Sequence, residues 1–83
     1  MYEVYIEQSA ERDLKRLPAD MFYRIVSRIR ALAENPRQRG CSKIADSKND
    51  WRIRIGNYRV IYEVDDKAKK VWIMRVRKRE KAY

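Results

Sequence analysis

Residues 51–63 read WRIRIGNYRVIYE, and their pattern is the main evidence for the predicted fold. Apolar and polar side chains alternate on both sides of Gly56-Asn57, which is the pattern of two half-buried β-strands. Glycine accepts the positive φ of a tight hairpin turn, so Gly56-Asn57 predicts a two-residue turn. Such a turn places Arg54 directly opposite Arg59 on one face of the sheet. Like charges in that position repel each other, and two interpretations remain open: an anion such as phosphate binds there, or the face is a solvated basic surface.

The alternation continues in the last predicted strand, residues 71–78, and extends the basic face. The apolar residues of this strand that are predicted to point inward are Trp72, Met74 and Val76. The opposite face would carry six arginines from three strands: Arg52, Arg54, Arg59, Arg75, Arg77 and Arg79. Arginine has a planar, permanently charged fork that matches phosphate. Clustered arginines suit single-stranded or structured RNA better than a DNA groove.

Upstream of the hairpin, the sequence predicts one strand and two helices. The strand covers residues 2–6, and a short helix begins with Ser9 as its N-cap and ends at Pro18. Pro18 then occupies the first position of a second helix, which Asn35-Pro36 terminates. The apolar stripe of this helix has helical spacing and consists of Phe22, Ile25, Val26, Ile29, Leu32 and Ala33. Residues 41–46 form either a short strand or a loop.

These elements predict a single α+β domain over residues 1–83 with the order β-α-α-β-β-β. Two consecutive helices in an otherwise antiparallel protein should pack together on one face of the sheet. We therefore expect both helices on the apolar face of a small, twisted, mostly antiparallel sheet, and the arginines on the other face.

The composition favours one class of partner and excludes several kinds of chemistry. The chain has 21 basic and 12 acidic residues, a formal net charge of +9, and such an excess favours a polyanionic partner. There is no apolar run long enough to span a membrane and no signal peptide, so we expect a cytoplasmic protein with no membrane partner. The only cysteine is Cys41 and there is no histidine, which excludes an internal disulfide and the commonest general base. The carboxylates lack metal-binding spacing, so we expect no metal and no cofactor.

A metal-free ribonuclease needs a base for the 2′-hydroxyl, cations for the crowded phosphate and a donor for the leaving 5′-oxygen. Arginine can supply the cation but not the base, because it stays protonated. A tyrosine or lysine could be the base if nearby positive charge lowered its pKa. Tyr83 is the best-placed candidate by sequence, and the alternative is that it is simply a frayed terminal residue.

The hairpin motif W-R-x-R-x-G-x-Y-R-x-I-Y, followed by a strand ending in RKREKAY, resembles the RelE/ParE superfamily of type II toxin–antitoxin toxins. The resemblance covers nearly the whole chain and has the same order of elements. A RelE-like member is expected to be an endoribonuclease that cuts mRNA in the A site of a 70S-type ribosome without metal, leaving a 2′,3′-cyclic phosphate. The resemblance also implies a cognate antitoxin that wraps around the toxin in a hetero-oligomer.

The resemblance also implies roles for individual residues. Arg59 would stabilise the phosphate in the transition state, Arg79 would assist the leaving oxygen or the phosphate, and Tyr83 would transfer a proton or stack on the base. Arg52 and Arg54 stand where the best-studied members have lysine, so they can bind phosphate but cannot act as a base. The full set expected to bind RNA is Arg52, Arg54, Arg75, Arg77, Lys78 and Lys81.

Two other functions are compatible with the sequence. A ParE-like toxin would inhibit DNA gyrase by binding and would cut nothing. An inactive module would bind its antitoxin or repress its operon. The presence of Arg59, Arg79 and Tyr83 favours the nuclease, but the fold cannot separate these functions, because function resides in the site.

Overall fold

The structure is a computed structural model and describes residues 1–78. Within that range the elements are β1 (Glu3–Ile6), α1 (Gln8–Lys15), α2 (Ala19–Ala31), β2 (Cys41–Lys43), β3 (Asp50–Ile55), β4 (Tyr58–Asp65) and β5 (Lys70–Lys78). The five strands form one sheet in the order β1-β5-β4-β3-β2. β1 runs parallel to β5, and the other neighbours are antiparallel. The predicted α+β fold is confirmed, and β2 is the short strand that the sequence left open.

The core lies between both helices and one face of the sheet. Ala10 and Leu14 of α1 and Ile25 and Ile29 of α2 are buried. They meet alternate strand residues, which are Ile53, Ile55, Val60, Tyr62, Val64, Val71, Ile73 and Val76. Arg54 pairs with Arg59 in register, so the two arginines share the opposite, outer face. The predicted division of the sheet into an apolar helix face and a basic outer face is confirmed.

The inward set predicted for β5 was wrong for Trp72 and Met74. A β-bulge lies here, because Ile61 pairs with Arg75 while its neighbour Tyr62 pairs with Ile73, so Met74 has no partner on β4. One extra residue reverses the alternation. The core therefore receives Val71 and Ile73 before the bulge and Val76 after it. Trp72 lies on the outer face, where its ring stacks on Tyr5 with 4.6 Å between centroids.

The helix termini also differ from the sequence prediction. Glu7, not Ser9, is the N-cap of α1, because the Glu7 carbonyl already accepts the Glu11 N–H. Ser9 lies inside the helix, and its hydroxyl donates a hydrogen bond to the Met74 carbonyl. Pro18 is the N-cap of α2 rather than its first residue, and its carbonyl accepts from the Phe22 N–H. α2 ends at Ala31, several residues before the predicted stop at Asn35-Pro36.

The hairpin turn forms where it was predicted. Gly56 has a φ of +58°, and Asn57 is not among the residues with positive φ, which is the type II′ pattern. A Cβ added to Gly56 would lie 3.2 Å from the Met21 side chain of α2. Glycine is therefore favoured at this position both by its φ and by the close approach of the helix.

The connector between α2 and β2 is fixed to the sheet by contacts of Pro36 and Arg37. The buried Tyr62 hydroxyl donates to the Pro36 carbonyl at 2.7 Å, and burial raises the pKa of Tyr62. Arg37 lies over the Trp51 ring and forms a bidentate ion pair with Asp66. The hydrogen bonds from Arg37, and then from Tyr2, lower the pKa of Asp66 to about 2. These contacts hold the charged connector against the end of the sheet away from the Gly56 turn.

None of the helices in residues 1–78 combines the length and the apolar character that crossing a membrane would require.

Candidate nucleic-acid interface

Three arginines lie in one row across the outer face of the sheet. Arg54 on β3 pairs with Arg59 on β4, and Arg59 pairs with Arg77 on β5. Neighbouring strands are about 4.8 Å apart, so the row spans roughly 10 Å. Arg54 and Arg77 are exposed, and Arg59 in the middle is half-buried. We call these three residues the arginine row; it presents three permanent positive charges to a single ligand.

No member of the arginine row takes part in an ion pair within the described part of the chain. The ion pairs within residues 1–78 join Lys15 to Glu11, Arg37 to Asp66 and Arg75 to Asp13, and none includes a member of the row. Arg59 therefore has a like-charged neighbour on each side, an arrangement that costs stability. A phosphate on the row would relieve the repulsion, because it can accept charge-assisted hydrogen bonds from several guanidinium groups.

The second pair of predicted arginines is on the same face but is partly engaged. Arg52 and Arg75 both lie in register with Ile61 of β4. The Arg52 Nε donates to Ser42 Oγ at 3.3 Å. The Arg75 guanidinium turns over the sheet edge to Asp13 of α1, with Nε–Oδ2 and Nη2–Oδ1 distances of 3.0 and 3.3 Å. Arg75 is therefore held by a structural ion pair, whereas the arginine row faces the solvent.

Asp13 supports this site and was not identified from the sequence. Its Oδ2 accepts the Val76 N–H at 2.9 Å, on the part of β5 that extends beyond its pairing with β1. Burial by itself raises the pKa of Asp13. The hydrogen bonds from Val76 and Arg75, together with the nearby charges of Arg75 and Arg77, outweigh that effect and lower the pKa. Asp13 thus anchors the strand segment that carries Arg77, and only its position as a polar residue between Ala10 and Leu14 hinted at an inward role.

The outer face has an acidic end as well as a basic end. Asp50 pairs with Glu63, and Glu63 pairs with Trp72, so this line lies two residues along the strands from Arg52 and Ile61. The two carboxylates, Asp50 and Glu63, thus lie side by side on this face. A polyanion would therefore be attracted to the Gly56 end of the sheet and repelled from the other end.

The remaining predicted residues separate into two groups. Lys78 pairs with Tyr58, which packs against the core, so Lys78 has the helix-face orientation and does not join the arginine row. Arg79, Lys81 and Tyr83 lie outside the described residues. Residues 1–78 contain no group of three or more Cys, Asp or Glu side chains that could hold a metal ion.

The fold and the arginine row define a class of protein: a small α+β domain with a face suited to a polyanion. Comparison with known proteins identifies its family. Residues 4–83 match the family model of the ParE toxin of the type II toxin–antitoxin system parDE. Toxin RelE of Mycobacterium tuberculosis strain H37Rv is 34% identical over 83 residues, which cover 99% of this chain and 86% of that relative.

Solved structures agree with the sequence matches. The archaeal RelE–RelB complex from Pyrococcus horikoshii contains a chain that is 29% identical, with a TM-score of 0.87 and coverage of 98% of both chains. The toxin–antitoxin complex RelBE2 from Mycobacterium tuberculosis contains one that is 30% identical, with a TM-score of 0.82 and coverage of 94% of this chain and 98% of that chain. The chain therefore belongs to the RelE/ParE superfamily of type II toxin–antitoxin toxins, as the hairpin motif indicated.

Proposed function

We propose that this toxin is an endoribonuclease that cuts mRNA bound to a 70S-type ribosome, in the cytoplasm and without a metal ion or cofactor. The observation that carries the proposal is the arginine row, Arg54, Arg59 and Arg77 in register. The similarity to a protein named Toxin RelE over 99% of this chain supports the RelE type of activity.

The reaction requires no water. The 2′-oxygen of a ribose attacks the adjacent phosphorus, the bond to the 5′-oxygen breaks, and a 2′,3′-cyclic phosphate and a 5′-hydroxyl result. A base takes the 2′-hydroxyl proton, and a donor returns a proton to the leaving 5′-oxygen. Negative charge accumulates on the phosphate in between, and preorganised cations stabilise it most at that point. Arg59, flanked by two further cations, suits this task.

Arg79 and Tyr83 enter the proposal through the family resemblance. Arg79 would assist the leaving oxygen or the phosphate. Tyr83 would take part in proton transfer or stack on the base, and the substitution Tyr83→Phe separates these roles because it keeps the ring and removes the hydroxyl. A large loss of cleavage with Phe indicates proton transfer. A small loss with Phe and a large loss with Ala indicates stacking.

The toxin would be neutralised by a cognate antitoxin protein in a hetero-oligomer. Two of the similar structures contain RelE-type toxins together with RelB. The excess of 21 basic over 12 acidic residues favours a partner that brings acidic and apolar residues.

The test is addition of the purified toxin to a translation extract, with primer extension on a reporter mRNA. We expect cuts spaced by codons that appear only when the message is translated. Cuts in naked mRNA at the same positions would contradict ribosome dependence, and an intact message at toxin concentrations that stop translation would contradict the nuclease.

The second candidate function is inhibition of DNA gyrase, which the match to the ParE toxin family model favours. The same preparation should therefore be tested for gyrase supercoiling of relaxed plasmid. Plasmid that stays relaxed while the mRNA remains intact would support the ParE type of activity and overturn our proposal.

A further inference from the structure

A pair of stacked aromatic rings lies on the outer face of the sheet, at the end away from the Gly56 turn. Tyr5 on β1 pairs with Trp72 on β5, and the planes of their rings are 21° apart. The Tyr5 hydroxyl donates a hydrogen bond to the Glu3 carboxylate at 3.1 Å, which orders the first ring. Tyr5 is 37% exposed and Trp72 is half-buried. We call these two rings the aromatic platform; both helices pack on the other face of the sheet and leave it uncovered.

The second face of the Trp72 ring is turned towards two carboxylates. β5 lies between β1 and β4, so the ring face opposite Tyr5 is directed towards β4. Glu63 on β4 pairs with Trp72, and Asp50 on β3 pairs with Glu63. Neither carboxylate takes part in an ion pair within residues 1–78, and like charges directly opposite each other destabilise a sheet. A hydrogen-bond donor that reached Glu63 would reduce this repulsion.

The aromatic platform and the arginine row are close enough for one RNA strand to reach both. Arg59 and Glu63 lie on the same face of β4, and their separation is roughly 13 Å at about 3.3 Å per residue. A strand with a phosphate on the arginine row can therefore place the base of a nearby nucleotide on the platform. Aromatic side chains on an open, basic sheet are a common means of holding unstacked bases.

The Glu63 carboxylate favours particular bases. A carboxylate accepts a hydrogen bond from the exocyclic amino group of cytosine. Uracil has a carbonyl oxygen at that position, so it would direct an acceptor at another acceptor. Two pyrimidines of the same size would therefore differ in affinity at this place.

We propose that the aromatic platform and Glu63 form a nucleobase-binding site for the RNA strand whose phosphate lies on the arginine row. A base stacks on the free face of Trp72 and donates its exocyclic amino group to Glu63, so cytosine is preferred to uracil. The inference rests on the RNA substrate of the proposed function and adds a contact that distinguishes between sequences.

The charges on this face favour a base over other occupants. A phosphate would be repelled by Asp50 and Glu63. A basic protein segment would be attracted to the two carboxylates, but it would share the face with the three positive charges of the arginine row. An RNA strand satisfies both ends, because its phosphates are anionic and the ring of its base is neutral.

Binding of short 2′-O-methyl oligonucleotides tests the platform, because the blocked 2′-hydroxyl prevents cleavage. Trp72 is the only tryptophan left in Trp51→Phe toxin, and we expect oligocytidylate to quench its fluorescence. Absence of quenching would overturn the inference.

The Kd for labelled oligocytidylate, measured by fluorescence anisotropy, provides a second readout. We expect Trp72→Leu to raise it at least fivefold, as for the loss of one base–aromatic stack. Trp72→Phe keeps a ring and should raise it less than threefold. Tyr23→Leu removes a tyrosine that is 71% exposed on α2 and should leave it unchanged. Equal Kd values for Trp72→Leu and Tyr23→Leu, both folded by circular dichroism, would also overturn the inference.

The role of Glu63 is tested by comparing oligocytidylate with oligouridylate of the same length. We expect the wild type to bind oligocytidylate at least threefold more tightly. Glu63→Gln should reduce this ratio to below twofold, because an amide can also donate to the uracil carbonyl. Glu34→Gln removes an exposed carboxylate beyond the end of α2 and should leave the ratio unchanged. A wild type without preference, or a ratio that persists in Glu63→Gln, would contradict the inference.

These measurements need neither a ribosome nor cleavage, so their outcome is separate from that of the proposed function. A toxin that cuts translated mRNA but shows no base preference would overturn this inference alone. A toxin that prefers oligocytidylate but cuts no message would contradict only the proposed function. Quenching of Trp72 by the cognate antitoxin and by neither oligonucleotide would assign the aromatic platform to the protein partner and overturn the inference.

Discussion

Arg59 is the residue on which the proposed chemistry depends most. It lies in the middle of the arginine row, between Arg54 and Arg77. We expect Arg59→Ala to lower the cleavage rate by roughly 10²–10³, the typical loss when one donor to a developing negative charge is removed. Arg30→Ala removes an exposed arginine near the end of α2 and is the control. The measurement is single-turnover cleavage of ribosome-bound mRNA by variants shown to be folded by circular dichroism. A wild-type rate for Arg59→Ala would contradict the assignment.

Removal of the Arg59 charge should increase the stability of the toxin, although it lowers the cleavage rate. Arg59→Gln keeps most of the half-buried stem and removes two like-charge contacts, each costing about 0.2–1 kcal/mol. We expect the free energy of unfolding in urea to increase by roughly 0.5–1 kcal/mol at low salt. The increase should shrink at 1 M NaCl, where the Debye length is about 3 Å. Arg30→Gln, which removes a charge from α2, should not produce this increase. A stability loss with Arg59→Gln would indicate that the repulsion is already relieved within the free protein.

β5 depends on contacts from α1 after β1 has ended. The Ser9 hydroxyl donates to the Met74 carbonyl, and Asp13 accepts the Val76 N–H. Asp13→Ala leaves that N–H without its acceptor, at a cost of about 1–3 kcal/mol. The Arg75 side chain is 41% exposed, so solvent screens its share of the loss. Asp13→Asn keeps an acceptor oxygen and should cost less than Asp13→Ala in urea unfolding. Equal costs for the two variants would contradict the role of the hydrogen bond.

The pH dependence of the same variants gives a second check on Asp13. The folded-state pKa of Asp13 is lower than the value of about 3.9 expected in the unfolded chain. Its contribution to stability is therefore present above about pH 4 and is lost as the pH falls through the folded-state pKa. We expect the stability advantage of the wild type over Asp13→Asn to narrow below pH 4. An advantage that is independent of pH between 2 and 6 would contradict the lowered pKa.

The sequence predicted β3 and β4 better than β5 for a physical reason. In residues 51–63 only one alternation separates apolar from charged residues. It assigns Arg54 and Arg59 to the same face of the sheet without ambiguity. Residues 71–78 permit two arrangements, because Trp72, Met74 and Val76 alternate without interruption, while Val71 and Ile73 need a bulge before Val76. The parallel neighbour β1 selects the second arrangement, since Val4 and Ile6 pair with Val71 and Ile73. That pairing joins distant parts of the chain, and local alternation carries no information about it.

The contacts from α1 that hold β5 could not be predicted from the sequence for a similar reason. Ser9 before a helical stretch is a common N-cap, and nothing nearby indicated that its hydroxyl would reach β5. Asp13 likewise resembles an ordinary helix residue until the strand edge beside it is known. The arginine row could be predicted because strand pairing through a two-residue turn is local. The contact between Asp13 and β5 could not be predicted, because it depends on where β1 ends.

Excess positive charge across the molecule opposes its folding. The net charge is +9, and the molecule measures 34 × 28 × 24 Å. At 10 mM salt the Debye length of about 30 Å allows charges throughout the molecule to interact, whereas at 150 mM it is about 8 Å and only neighbours do. Self-repulsion of a strongly charged chain destabilises the compact state, so screening should stabilise this one.

We therefore expect the melting temperature of the free toxin to rise between 10 and 150 mM NaCl by about 4 °C or more, since roughly 1 kcal/mol shifts a domain of this size by about 4–8 °C. The Arg54→Gln/Arg59→Gln double variant lowers the net charge by two and relieves the repulsion within the arginine row. It should therefore start from a higher melting temperature and gain less from salt. Calorimetry or circular dichroism at fixed protein concentration measures both shifts. A melting temperature that falls with salt would mean that screening of attractive pairs such as Arg37–Asp66 outweighs the relief of repulsion, and would contradict the account of the arginine row as unneutralised charge.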